Sequence, residues 1–340
     1  MKKQNFWRRP AVCLGVAALV IGTGGAVALV GNDFRYTENA VTIPLPDGGS
    51  LAGVLTEPKH GAPRGLVVMV HGDGPVTATQ DGHYNPWFEA AADAGFATVS
   101  WGKPGIEGSS GNWLAQTMSD RADEVSTVID WAVQRRGSEA DRIVLWGASQ
   151  AGWVLPKVMA DRTDIDGVVA VGTAINWLDQ GRFNLLAELE AANATETERE
   201  AAIATSDRDR DLLAADAEFV TYAAETSDAE PMSAERWGFV RRNFAADATA
   251  DLSRAAPRRI PVMLMAGTHD RNVDVDETAR LYRDLLGDAV TVRHFDAVHS
   301  LARPAVDDSE AWGIVVGVFW PRALLAPGVT DAYAEFLRAR

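Results

Sequence analysis

Six short runs dominated by apolar residues recur along the chain, at 65–70, 96–101, 142–146, 167–171, 261–266 and 290–295. Runs this short and this continuous fit strands buried on both faces, the condition of a parallel sheet covered above and below. Helix-compatible stretches lie between them, at 86–94, 120–135, 151–160 and 276–286. Alternating strands and helices joined by right-handed crossovers predict an α/β fold, a doubly wound and mostly parallel sheet. Upstream, 41–45 and 51–56 are parted by Pro46-Asp47-Gly48-Gly49 and read as a hairpin. A closing surface helix is expected over 331–340.

One interval breaks the rhythm. No strand-like run occurs from 176 to 256, and that segment carries 17 acidic and 8 basic residues at helical spacing. A structureless loop of that length does not suit a compact domain, so a helical cap insertion is expected, either a lid over a site or a solvated decoration. The N-terminus is of another kind. Lys2, Lys3, Arg8 and Arg9 precede an uncharged stretch from Ala11 to Val30, long enough as a helix to cross a hydrocarbon layer of about 30 Å. Its length favours a retained single-pass anchor, whereas Ala26-Val27-Ala28 resembles a cleavage site, so residues 1–31 read as a membrane anchor or a signal peptide. Either way the positive flank stays cytoplasmic and the remainder, 32–340, is extracytoplasmic. The net charge of -15 argues against nucleic acid as a partner. Cys13 is the single cysteine and lies in the apolar stretch, so no disulfide staples the globular part.

Chemistry concentrates at strand ends. Gly147-Ala148-Ser149-Gln150-Ala151-Gly152 follows the run at 142–146 and opens a helical stretch, the context of a nucleophile elbow. A serine on such a turn needs small neighbours two residues either side; Gly147 and Ala151 qualify, although glycine is usual at the second. Asp270 follows the run at 261–266, and His299 the run at 290–295. Nucleophile, acid and base thus appear in one chain order, each at the carboxyl end of a strand. Asp274 and Asp276 better suit the cap of the next helix, His294 falls inside a strand, and His269 and Asp296 flank the proposed pair. The turn His71-Gly72-Asp73-Gly74-Pro75 could supply an oxyanion donor from the main-chain N–H of Asp73, with Gln150 N–H as the second. His71 itself is expected beneath the turn as a structural residue. Trp101, Trp113, Trp153 and Trp177 could rim the site, with Trp113 and Trp153 as substrate contacts, or could simply be core. Six scattered histidines, no H-E-x-x-H and no phosphate or dinucleotide loop give no reason to expect a metal or cofactor.

The motifs around His71, Ser149 and His299, together with the hairpin and Lys103-Pro104-Gly105-Ile106-Glu107-Gly108-Ser109-Ser110-Gly111-Asn112-Trp113, resemble the α/β-hydrolase superfamily. They are nearest its bacterial serine esterase and aminopeptidase-like branch, over roughly 40–175 and 258–302. The resemblance implies the fold and acyl-transfer chemistry on a small-molecule acyl substrate; it does not reach the cap. The expected activity is hydrolysis of carboxylic esters through an acyl-enzyme on Ser149. A peptidase, a thioesterase or an envelope acyltransferase would use the same machinery, and a non-catalytic envelope-binding protein would keep only the fold.

Overall fold

The computed structural model describes residues 31–136, 142–228 and 230–340. The expected membrane or signal segment lies outside them, and among the described residues no helix is long and apolar enough to cross a membrane. The chain enters through a hairpin, β1 (Tyr36–Pro44) and β2 (Ser50–Pro58), longer than the apolar runs that mark it. Asp47 Oδ1 accepts from Gly49 N at 2.9 Å and tightens its turn. Then come β3 (Gly65–Val70), β4 (Phe96–Trp101), β5 (Ile143–Ala148), β6 (Ile165–Val171), β7 (Val262–Gly267) and β8 (Val290–Phe295). They form one sheet in the order β1-β2-β4-β3-β5-β6-β7-β8, with β1 and β2 antiparallel and β4 to β8 parallel.

Period-two alternation sorts the central strands onto two cores. Leu66, Val68, Leu145 and Leu264 face one side; Val67, Met69, Val144, Trp146 and Met265 face the other. On the second side α1 (Asn85–Asp93) brings Trp87 and Phe88. The first side receives α2 (Met118–Arg136) and α3 (Leu155–Asp161), which contribute Val125, Ile129, Leu155 and Val158. The helix expected over 151–160 is divided: Ser149–Trp153 form a 3-10 turn, and α3 starts only at Leu155, with Pro156 in its first turn. Proline is tolerated there and nowhere further in, because its missing N–H would break the helical ladder.

The interval 176–256 is helical among the described residues. It holds α4 (Trp177–Ala191), α5 (Glu196–Ala214), α6 (Phe219–Glu225), α7 (Ala234–Asn243) and α8 (Thr249–Ala255). Local signals start three of them: Asn176 caps α4, Thr195 and Glu198 form a capping box on α5, and Ser233 caps α7. After α9 (Val275–Leu286) and β8, a stretch without a predicted helix contains α10 (Pro304–Asp307) and α11 (Glu310–Phe319). The last helix, α12 (Val329–Arg338), packs Tyr333 against Trp87 at 5.2 Å between ring centroids.

Phe88 is fully buried between Tyr36 and Tyr84, whose rings meet it edge-on. Phe88→Ala leaves a void at the start of one core and is expected to cost about 3–5 kcal/mol, read as a lowered urea midpoint at unchanged m-value.

Candidate active site

The strand order reverses at β3, and this decides where the loops meet. From β3 the chain crosses to β4 on one side and returns through α2 to β5 on the other. Val70 therefore pairs with Gly147, and the turn after β3 lies beside the turn after β5 at the carboxyl edge, the crevice where parallel sheets bind ligands. Ser149 sits on that second turn with φ of 51°, left-handed backbone that a non-glycine residue holds only when its surroundings enforce it. Packing enforces it here. A Cβ at Gly147 would come within 2.8 Å of both Ala151 Cβ and a Leu155 methyl, so Ala151 occupies room that Gly147 vacates. That accounts for alanine where glycine is usual.

His299 Nδ1 lies 2.8 Å from Asp270 Oδ2. The carboxylate can only accept, so Nδ1 carries the proton and Nε2 is left free as a base. Asp270 cannot swing away: its side chain is fully buried, and its other oxygen accepts from Asn272 N at 2.8 Å and Val273 N at 2.9 Å. Gly172, with φ of 52°, lets the His299 ring approach, since a Cβ there would lie 3.1 Å from its Cε1 and Nδ1. Ser149 and His299 line one cavity, with no hydrogen bond between them. The rival residues have other partners. Asp274 accepts from Glu277 N as the cap of α9; His269 Nε2 lies 2.7 Å from Asp296 Oδ1 on the surface; His294 stands exposed on the edge strand β8.

The turn after β3 is built from beneath by two buried basic side chains. Lys103 Nζ donates to Gly72 O at 2.5 Å, and Arg121 donates to His71 O at 2.7 Å and to Gln150 Oε1 at 2.6 Å. In a trans peptide the carbonyl and the following N–H point in opposite directions. Pinning Gly72 O on Lys103 therefore turns the Asp73 N–H the other way, and neither that N–H nor the N–H of Gln150 donates to another described residue. Burial, then the Arg121 charge, drives Lys103 well below its usual pKa. Gln150 Nε2 donates to Asp73 Oδ1 at 3.0 Å, and Arg236 of α7 grips both Asp73 oxygens at 3.0 and 2.6 Å. Burial alone would raise the Asp73 pKa; the Arg236 hydrogen bonds and charge outweigh it, and the net shift is downward.

The cavity holds about 690 Å³, within the range of small-molecule sites. Its walls correct two expectations. Trp113 and Trp153 are not among them: Trp113 packs on Phe239 with Lys103 over its ring, while Trp153 stacks on Trp177 at 4.7 Å and donates to Ile175 O. Trp87 and Trp146 line the cavity instead. Nor does 176–256 line it; the insertion reaches the rim of the site instead, through the Arg236–Asp73 pair and through Gln180 and Asn184 of α4, which donate to Asn272 O and Arg271 O beside Asp270. Val306, Gly313 and Ile314 of α10 and α11, with Leu324 and Leu325, take that place. Sequence reading passed over this element, although the charge-free stretch Ala311 to Phe319 between Glu310 and Arg322 could have marked it.

His71 is fully buried, stacked on Tyr84 at 5.5 Å, with Nε2 2.5 Å from Trp101 O and Nδ1 3.3 Å from the Tyr84 hydroxyl. A carbonyl only accepts, so Nε2 is protonated and the ring neutral; burial lowers its pKa to about 3. Its ring resonances are expected to stay fixed from pH 8 to pH 5 by NMR. Unfolded histidine takes up a proton near pH 6.5 and folded His71 does not, so this residue lowers stability as pH falls below about 6.5. A ring that titrates near 6 in the folded protein would contradict the buried neutral assignment.

Comparison with known proteins agrees with this architecture. The family model described as serine aminopeptidase, S33, matches residues 61–302. Among solved structures, the chain is similar to an esterase from Pyrococcus furiosus, at 18% identity over 85% of this chain and 92% of that one, with a TM-score of 0.53. It is also similar to the acylaminoacyl peptidase of Pyrococcus horikoshii, at 13% identity over 91% of this chain and 42% of that one, again with a TM-score of 0.53. No curated protein matches it. With the family match spanning well over half of its length, the chain belongs to the serine aminopeptidase S33 family of the α/β-hydrolase superfamily.

Proposed function

We propose that the protein is a serine hydrolase of carboxylic esters, with Ser149, His299 and Asp270 as its catalytic residues. The observation that carries this reading is the Asp270–His299 pair at 2.8 Å opening, with a conformationally strained Ser149, on one largely apolar cavity. His299 Nε2 takes the hydroxyl proton as Ser149 Oγ attacks the acyl carbon. Asp270 holds the imidazole in the tautomer that makes Nε2 basic and stabilises the imidazolium. The N–H groups of Asp73 and Gln150 receive the oxyanion. His299 then protonates the leaving alcohol, and water, deprotonated by the same nitrogen, releases the acyl group from Ser149. Esters are favoured over peptides by the largely apolar lining, to which Ile314 contributes an exposed side chain, and by the pairing of the Asp73 carboxylate with Arg236.

The basic residues Lys2, Lys3, Arg8 and Arg9 support an orientation with the N-terminus in the cytoplasm and the catalytic domain outside it.

A fluorophosphonate probe is expected to label the wild-type protein and not Ser149→Ala; a folded wild type that fails to label would sink the assignment. Asp270→Asn offers the wrong hydrogen-bonding partner to Nδ1 and is expected to lower kcat by about 10⁴. Lys103→Met frees Gly72 O and is expected to lower kcat by about 10², with KM little changed, if the Asp73 N–H serves the oxyanion. Steady-state kinetics on p-nitrophenyl butyrate, beside an aminoacyl amide and an acyl thioester, read these effects and separate the acyl classes.

A further inference from the structure

Among the described residues, the large exposed apolar side chains gather on one short element. Trp312, Ile314, Val315, Val318 and Trp320 lie on α11 or immediately after it, and only Val220 lies elsewhere. Ala311, Ile314, Val315 and Val318 follow the i, i+3, i+4, i+7 spacing of a single helix face. In a globular domain that face turns inward; here it is the exposed one, while Val316 is buried. No charge interrupts the sequence from Ala311 to Phe319. Single exposed apolar residues need no explanation, but a contiguous patch of this kind marks a contact surface.

Two further observations say what covers it. The first is where the chain arrives. Asn32 Nδ2 donates to Val318 O at 2.8 Å, Arg322 donates to Gly31 O and Asp33 O at 2.7 Å each, and a Cβ at Gly31 would collide with the main chain of Phe319. The uncharged stretch Ala11 to Val30 thus joins the domain at the carboxyl end of α11, one residue away from it. The second is the cavity, whose wall includes Val306, Gly313 and Ile314 of the same α10–α11 unit.

We propose that the outer face of α11 seats in the surface of a lipid bilayer on its non-cytoplasmic side, and that the cavity draws its substrate, an uncharged long-chain acyl ester, from that bilayer. The seating rests on the reading of residues 1–31 as a retained membrane anchor: an anchor that ends at residue 30 would hold α11 at the bilayer surface, whereas a soluble partner would have to displace lipid to reach the same face. Trp312 and Trp320 bracket the face, and tryptophan is enriched at the headgroup level. With a net charge of -15 and no cationic residue on the helix face, the surface it fits is zwitterionic rather than anionic. The choice of substrate rests on the reading of Ser149 as a nucleophile; the seating of α11 does not.

The full chain is reconstituted in phosphatidylcholine vesicles whose acyl chains carry bromine, which quenches tryptophan on contact. Wild-type emission is expected to be quenched more than that of Trp312→Phe/Trp320→Phe, with Trp7 contributing equally to both. Equal quenched emission overturns the seating; if cross-linking then yields a dimer abolished by Val318→Lys, the face belongs to a second copy. Val315→Lys/Val318→Lys places charge on the outer face without touching the cavity. It is expected to leave hydrolysis of soluble p-nitrophenyl acetate unchanged and to slow hydrolysis of vesicle-borne monoacylglycerol about tenfold, as charge is expelled from the bilayer surface. Val318→Asn alone is expected to give a smaller loss in the same direction. Vesicle rates equal to wild type for both variants overturn delivery from the bilayer. Quenching as expected with no hydrolysis of either ester overturns the nucleophile reading and leaves the membrane seat standing.

Discussion

Side chains on β3, β4 and β7 have no face open to water: every residue of these strands is buried. A charged group placed mid-strand would lose its hydration at a large cost, and even a hydroxyl left without a partner costs about 1–3 kcal/mol; the buried Ser100 of β4 avoids this by donating to Ala78 O. On these strands ionisable side chains are therefore confined to the points where the strands end. Because the strands are parallel, those ends fall on one edge, and Asp73, Ser149, Asp270 and His299 are gathered there although 226 positions separate the first from the last.

The edge must also be stiff, and buried charge stiffens it. Arg121 and Lys103 are taken out of water and given oxygen acceptors in place of carboxylates: the carbonyls of His71 and Gly72 and the amide of Gln150. Glu124, whose pKa burial raises, accepts from Trp101 and Gln116 close by. Such an arrangement is poor as a source of stability, since desolvating a cation costs more than a neutral acceptor returns. Its effect is geometric. Two carbonyls are held on one side of the turn, so the amide hydrogen that follows is held on the other. Arg236 extends the same chain of contacts into α7, which ties the helical insertion to the turn.

The fold was legible because a strand buried on both faces must be apolar at nearly every position, and such unbroken runs stand out against the helices and turns between them. The pair Asp270 and His299 was legible for a related reason: each follows such a run within a few residues, where only a turn can intervene. The tryptophans were not. Trp113 and Trp153 lie in sequence beside site residues, yet Trp153 stacks on Trp177, and the rings at the cavity come from α1 and β5. Which face of a helix or strand a ring takes depends on its phase against the sheet, and neighbours in sequence differ in phase. The α10–α11 unit was missed because an apolar run there resembles one more buried segment; its exposure is a property of what surrounds it.

The sequence by itself determined the strand–helix alternation, the order of the proposed nucleophile, acid and base, and the small residues that let the chain turn sharply at Ser149, since all of these are local choices of side-chain size and polarity. Only the tertiary structure decided which amides are free, that Lys103 and Arg121 lie beneath them, and that the cavity is walled by 303–325 in place of 176–256. Those depend on distances between segments remote in the chain, which follow from how the two layers of helices pack on the sheet. No local pattern encodes them.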